Sequence, residues 1–142
     1  MIYTDETVKA LRLCYEAHKG QFDKSGVPYV FHPVHLAEQM GDENCAVAAL
    51  LHDVVEDTEY TLRDLESMGF PAPALEAVRL LTHDPEEPYL SYVARVKENP
   101  VARQVKLADL RHNSDLTRIP HPTEKDYARV EQYAKAIRLL EE

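Results

Sequence analysis

The chain has 142 residues, a length that predicts one domain over residues 1–142 with enough apolar side chains to bury a core. Its formal net charge of -9 and its pI near 5.2 argue against a general binder of nucleic acid or membrane surfaces, because no basic tract is present to neutralise phosphates. The first residues lack the apolar stretch of a signal peptide, and no apolar run approaches membrane-spanning length. We therefore expect a cytoplasmic protein.

Apolar residues at helical spacing predict an all-α fold of roughly seven to nine helices joined by short loops. The first helix is expected from Thr4 to about Gln21, and the turn and extended chain that follow present Lys24. Pro33 marks the first turn of a second helix, which Gly41 ends. Further helices are expected, in chain order, at 42–57, 61–69, 74–82, 89–98, 101–118 and from 123 onwards.

The long apolar helix in the middle of the chain ends in four side chains that can bind metals: His52, Asp53, Glu56 and Asp57. Residues three and four apart lie on one helix face, so three carboxylates and an imidazole are expected to converge. Like charges packed together cost stability unless a cation lies among them, and a divalent metal would supply that charge. The alternative is an amphipathic helix whose acidic end faces water. Acidic residues at a helix C-terminus oppose the helix dipole, which favours the metal site.

Other polar residues are candidates from their spacing, but spacing leaves their roles open. His32 and His35 lie one turn apart and are equally good candidates for a metal ligand. Asp109 and Asn113 lie four apart, hence on one face of a predicted helix. Lys106 precedes Asp109 by one turn, which suits an intrahelical ion pair as well as a contact to substrate.

Three motifs follow one another along the chain: Lys24–Tyr29 with His32-Pro33, then Leu51–Thr58, then Val105–Asp109 with His112-Asn113. This ordered set resembles the HD-domain metal-dependent phosphohydrolases. It is most similar to the hydrolase domain of the RelA/SpoT-type alarmone enzymes and to the small stand-alone Mesh1-like hydrolases. The resemblance implies a single HD-domain helical bundle and an enzyme.

The resemblance also implies a metal site made of two imidazoles and two carboxylates, those of His32, His52, Asp53 and Asp109. It thereby selects His32 over His35. A mixed set of nitrogen and oxygen ligands suits manganese, iron or zinc better than calcium, and the resemblance points to manganese. Glu56 and Asp57 are expected to orient or deprotonate the attacking water.

The implied reaction is hydrolysis of a nucleotide phosphate or pyrophosphate ester. In the alarmone enzymes of the stringent response, it removes the 3′-pyrophosphate of guanosine tetra- or pentaphosphate, (p)ppGpp. The residues that resemble the family's substrate contacts are Lys24, Asn113, Arg129 and Tyr133. Two segments differ from the family. Asp23 stands where the long enzymes have an arginine that stacks on guanine, and residues 82–88 are acidic where small relatives have a phosphate-binding lysine.

Two alternatives to an alarmone hydrolase remain. One is a hydrolase of another nucleotide or of a phosphorylated cofactor such as NADPH. The other is a nucleotide-binding sensor module without turnover. The complete pair Glu56 and Asp57 favours an enzyme, because a pure binder gains nothing from holding two carboxylates at a desolvation cost.

Overall fold

The computed structural model describes all 142 residues and contains nine α-helices and one 3-10 turn, Leu116–Arg118. Helices α1 to α9 span, in chain order, Asp5–Ala17, Phe31–Glu38, Glu43–Leu51, Val54–Asp57, Leu62–Ser67, Ala72–Leu81, Tyr89–Lys97, Pro100–Asn113 and Glu124–Glu141. There is no β-strand, and the single bridge between Phe22 and Pro28 is isolated. The prediction of an all-α fold is therefore confirmed.

Helix α3 is the centre of the fold, with α1, α2, α6 and α8 packed around it. Seven of its nine residues, Cys45 through Leu51, are buried. Because an apolar helix of this kind has no face suited to water, other helices must cover it on every side. The buried apolar residues accordingly form one cluster of 29 side chains. The end of α3 therefore carries its polar residues into the interior.

Side-chain caps fix where several helices begin. Thr61 caps α5 by accepting a hydrogen bond from the Asp64 backbone N–H, and Asp64 accepts one from Thr61 N–H in return. Thr4 caps α1 by accepting a hydrogen bond from the Thr7 backbone N–H. No helix is long and apolar enough to cross a bilayer.

The central helix predicted over 42–57 is wrong in one respect, because it is interrupted at His52 and Asp53. The carbonyl of Ala49 accepts a hydrogen bond from the His52 ring at 2.6 Å rather than from the Asp53 backbone N–H. A local side-chain bond of this kind competes with the helical ladder. The chain resumes as α4 at Val54.

Two other predicted helices end early. The first ends at Ala17, with His18 as its C-cap, and not near Gln21. Helix α8 ends at Asn113 and not at Arg118, because the Asp115 carboxylate accepts hydrogen bonds from the backbone N–H and the hydroxyl of Thr117. This contact starts the 3-10 turn.

Candidate active site

Three helices bring His32, His52 and Asp109 together inside the protein. His32 lies on α2, His52 follows α3, Asp109 lies on α8, and all three residues are buried. Their ligand atoms lie within 4.8 Å of one another. The Asp109 Oδ1 atom is 2.9 Å from His32 Nε2 and 3.7 Å from His52 Nε2. His35, the alternative candidate, is exposed and lies outside this cluster.

Asp53 connects this cluster to a second, acidic one. Its Oδ2 atom is 3.0 Å from His52 Nε2 and also accepts a hydrogen bond from the Tyr29 hydroxyl. The carboxylates of Asp53, Glu56 and Asp57 lie within 4.8 Å of one another. The three carboxylates therefore come together although the helix that was expected to align them is interrupted.

The ring of His52 leaves one nitrogen without a hydrogen-bond partner. The Nδ1 atom contacts the carbonyl of Ala49, and a carbonyl can only accept, so Nδ1 carries a proton. In a neutral ring, Nε2 is then a lone pair, and this buried atom forms no hydrogen bond. It faces the carboxylates of Asp53 and Asp109. A nitrogen lone pair among carboxylate oxygens needs a positive charge between them, which either a proton on Nε2 or a bound metal ion can supply.

The pKa shifts of His52 and Asp109 also indicate that the cluster favours a positive charge. Burial lowers the pKa of His52, but the carboxylates of Asp53 and Asp109 outweigh it and raise this pKa well above its usual value. Burial raises the pKa of Asp109, but Lys106 and the two histidines outweigh it and hold this pKa well below its usual value. The space between these side chains thus favours positive charge. Two imidazoles and two carboxylates form a donor set that fits a divalent transition metal.

His112 is a contact of this cluster to which the sequence assigned no role. Its Nδ1 atom lies 2.7 Å from Nδ1 of His32, and the two ring planes are nearly parallel, with an interplanar angle of 5°, so the rings meet edge to edge. Burial and the nearby Arg118 lower the pKa of His112 to about 4, so its ring is neutral near pH 7. When His32 Nδ1 donates a proton to His112, the lone pair of His32 Nε2 points towards Asp109. The presence of His112 in the third motif was the only signal of this contact in the sequence.

Replacing His112 by alanine is expected to weaken metal binding about 10- to 100-fold, the usual cost of losing a partner that orients a histidine ligand. The matched control is His35→Ala, because the His35 ring packs against that of His112 but lies outside the cluster. Titration of chelator-treated protein with manganese measures both affinities. Equal affinities for the two variants would contradict the orienting role.

Glu56 and Asp57, the two acidic residues expected to handle water, lie at the exposed edge of the cluster. Glu56 Oε1 accepts a hydrogen bond from the backbone N–H of His83 at 2.9 Å, which holds its carboxylate in place. Partial burial, followed by repulsion from Asp53 and Glu56, raises the pKa of Asp57 to about 6. A carboxylate with a pKa closer to neutral pH is a stronger base than an ordinary one.

A cavity of about 400 Å³ opens beside the cluster. Its lining includes all four residues that resemble substrate contacts: Lys24, Asn113, Arg129 and Tyr133. Asn113 Nδ2 donates to Asp109 Oδ1 at 3.1 Å and so links the cavity to the cluster. Lys24 Nζ and Arg129 Nη1 lie 3.0 and 3.3 Å from Oδ1 of the buried Asp126. Two cations share one carboxylate here, so these three side chains together carry a net positive charge suited to phosphate, although the whole lining has three cations and three carboxylates.

Lys106 forms the intrahelical ion pair that its spacing suggested. Its Nζ atom lies 3.0 Å from Asp109 Oδ2, and only 14% of its side chain is exposed. Despite burial, which lowers it, the pKa of Lys106 is raised by Asp109 and by the phenols of Tyr92 and Tyr89. Lys106 also lines a smaller cavity of about 180 Å³ with Glu56. The ion pair therefore engages Oδ2 of Asp109, while Oδ1 faces the imidazoles of His32 and His52.

The sequence comparisons give partial matches. None of the protein-family models matches the chain. The bifunctional (p)ppGpp synthase/hydrolase SpoT of Escherichia coli K12 is 44% identical over 72 residues, which cover 45% of this chain and 10% of SpoT. The putative chloroplastic GTP diphosphokinase RSH1 of Arabidopsis thaliana is 36% identical over 110 residues, which cover 72% of this chain and 12% of the plant protein. The chain thus spans about a tenth of the length of these relatives.

A solved structure extends the similarity to nearly the whole chain. It is described as a metazoan ortholog of SpoT that hydrolyzes ppGpp, and it matches 99% of this chain and 88% of its own. The TM-score is 0.76 and the sequence identity is 27%. The chain is a relative of the SpoT-type alarmone hydrolases. The resemblance read from the three ordered motifs is thereby confirmed.

This SpoT relative differs from the family pattern at Asp23 and over residues 82–88, and the structure shows what those residues contact. The Asp23 carboxylate accepts hydrogen bonds from the backbone N–H groups of Ser25 and Val27, so it closes the turn before the cavity. In the acidic segment, Glu87 pairs with Arg95 at 2.9 Å. The carboxylates of Asp23 and Glu87 therefore both have partners within the chain.

Proposed function

We propose that this chain is a metal-dependent nucleotide pyrophosphohydrolase that removes the 3′-pyrophosphate of (p)ppGpp. The observation that carries the proposal is the buried Nε2 atom of His52, which faces two carboxylates without a hydrogen bond of good geometry. The cavity beside the cluster has Lys24 and Arg129 in its lining. The names of SpoT and of its metazoan ortholog, which refer to hydrolysis of this nucleotide, support the choice of substrate.

The metal in this proposal is manganese, held by the two imidazoles and two carboxylates of His32, His52, Asp53 and Asp109. A divalent cation bound there would lower the pKa of water and polarise the phosphoryl group. The burial of the ligands strengthens their attraction for a cation, because the surrounding dielectric constant is low. The Tyr29 hydroxyl, which donates to Asp53, fixes the direction of that carboxylate.

The remaining polar residues divide the work between proton transfer and binding. Asp57, with its raised pKa, accepts a proton from the attacking water, and Glu56 orients that water. Lys24 and Arg129 bind phosphate oxygens from the wall of the cavity. Asn113, next to Asp109, contacts the substrate's sugar or the water network beside the cluster.

Purified protein with manganese is expected to release pyrophosphate from guanosine tetraphosphate, and the variant Asp53→Ala is expected to lose this activity. The assay compares guanosine tetraphosphate, GTP and NADPH, and it scores pyrophosphate against single phosphate release. Glu76→Ala, which removes an exposed carboxylate paired with Arg79, is the matched control and should retain activity. Absence of turnover of every nucleotide by the wild-type protein would refute an enzyme and favour a sensor module. Cleavage of NADPH alone would replace the proposed substrate.

A further inference from the structure

One cation on the wall of the 400 Å³ cavity, Arg118, is held from two sides. Its Nη1 atom donates to the carbonyl of His112 at 2.8 Å, and its Nη2 atom lies 3.7 Å from Asp23 Oδ2. The Arg118 carbonyl in turn accepts a hydrogen bond from the Ser25 hydroxyl at 2.7 Å. The turn at residues 23–27 and the 3-10 turn are therefore joined at this arginine.

The guanidinium of Arg118 is fixed along one edge. A hydrogen bond to a guanidinium lies in its plane, so the carbonyl of His112 engages that edge, and Asp23 adds an ion pair at the longer distance of 3.7 Å. The side chain is 28% exposed and lines the substrate cavity as well as a second cavity next to it. A planar cation fixed along one edge, with a face on a cavity, is a stacking surface for a flat ring.

The other residues at this end of the cavity suit such a ring. Phe22, Leu116 and Ile119 line it with apolar surface, and 63% of Phe22 is exposed. The two other cations of the cavity, Lys24 and Arg129, share the carboxylate of Asp126. Arg118 is the one cation of the lining that does not pair with Asp126. Apolar walls with one planar cation fit a heteroaromatic base, whereas phosphate needs converging charges.

We propose that Arg118 contacts the nucleobase of the substrate by stacking and that Asp23 is the residue that positions it. The proposal rests on the proposed function, because it takes a purine nucleotide as the occupant of the cavity. Asp23 gives the guanidinium its orientation and partly neutralises it, so the base is held by stacking more than by charge. Arg118 would thus contribute to the affinity for a substrate that carries a flat base, without distinguishing one base from another.

Arg118→Ala is expected to raise KM for guanosine tetraphosphate about tenfold and to leave kcat nearly unchanged, because stacking on a base contributes to binding and is remote from the reacting phosphate. Arg118→Lys should have nearly the same effect, since lysine keeps the charge but has no planar group. The control Arg111→Ala removes an exposed cation paired with Glu141 outside the cavity and should change neither constant. A wild-type KM in Arg118→Lys would overturn the stacking role.

A double-mutant cycle tests the pairing with Asp23. Asp23→Asn removes the charge next to Arg118 but keeps an acceptor oxygen for the turn, and it should raise KM because the guanidinium is less well oriented. In the Arg118→Ala background the same substitution should have little further effect, because the group that Asp23 positions is absent. Additive losses in the double variant would overturn the positioning role of Asp23.

Equilibrium binding separates this inference from the proposed activity. Guanosine 5′-diphosphate titrated calorimetrically into the wild-type protein and into Arg118→Ala reports the base contact without turnover. Weaker binding by the variant supports the base contact even if the wild-type protein hydrolyses nothing, in which case only the proposed function fails. Equal binding, or no binding by the wild-type protein, overturns the base contact whatever the activity assay shows.

Discussion

Asp109→Ala is expected to abolish metal binding and also to destabilise the fold. The carboxylate is buried, and it is the partner of Lys106, whose side chain is only 14% exposed. Removing one member of a buried ion pair leaves an uncompensated charge and costs roughly 3 to 5 kcal/mol. Urea unfolding of chelator-treated protein should therefore show a large drop in the free energy of unfolding, and manganese should not reverse it.

Two comparisons separate the structural cost from the metal site. The double variant Lys106→Met with Asp109→Ala removes both charges, so it should recover much of the lost stability without regaining metal binding. Asp53→Ala should lose metal binding with a smaller loss of stability, because Asp53 has no buried lysine as a partner. If the double variant is as unstable as Asp109→Ala, the ion pair is not the source of the loss.

The sequence predicted the architecture because the apolar pattern and the caps are local signals. Residues 45–51 of the central helix are apolar on every side, and the position of Thr61 three residues before Asp64 is sufficient to start a helix. The break after Leu51 was not predicted, because it depends on the His52 ring bonding to the carbonyl of Ala49. Spacing alone cannot show that a side chain will replace a backbone donor.

Contacts between distant segments explain why part of the site was not predicted. His112 and Arg118 each touch residues more than 70 positions away, His32 and Asp23 respectively. From the sequence motif alone, Asp23 indicates only that the arginine of the long enzymes is missing at this position. The folded chain places Arg118 beside it, on a turn that was expected to be the end of a long helix. The hydrogen bond from the Ser25 hydroxyl to the Arg118 carbonyl holds the 3-10 turn against the loop at residues 23–27 and so places that cation there.

Asp57→Asn is expected to remove most of the activity and to stabilise the protein in chelator at neutral pH. The pKa of Asp57 is raised to about 6, so the folded state binds more protons than the unfolded chain between the usual carboxyl pKa and pH 6. The stability contributed by this group is therefore present at low pH, falls as pH rises towards 6 and stays lost above it. The gain from asparagine should be about 1 kcal/mol or less, because the residue is exposed and solvent screens the repulsion.

Thermal unfolding with chelator at pH 4 and pH 8 measures this effect. The variant should melt at a higher temperature than the wild-type protein at pH 8, and the difference should shrink at pH 4, where Asp57 is protonated and no longer repels Asp53 and Glu56. With manganese, the pH–rate profile of the wild-type protein should fall on the acid side with an apparent pKa at or below about 6, because a bound cation favours the carboxylate. A stabilised variant that retains full activity would show that Asp57 is not the base. Loss of activity of roughly 100- to 10,000-fold together with a gain in stability would show that this carboxylate is kept for catalysis at a cost to the fold.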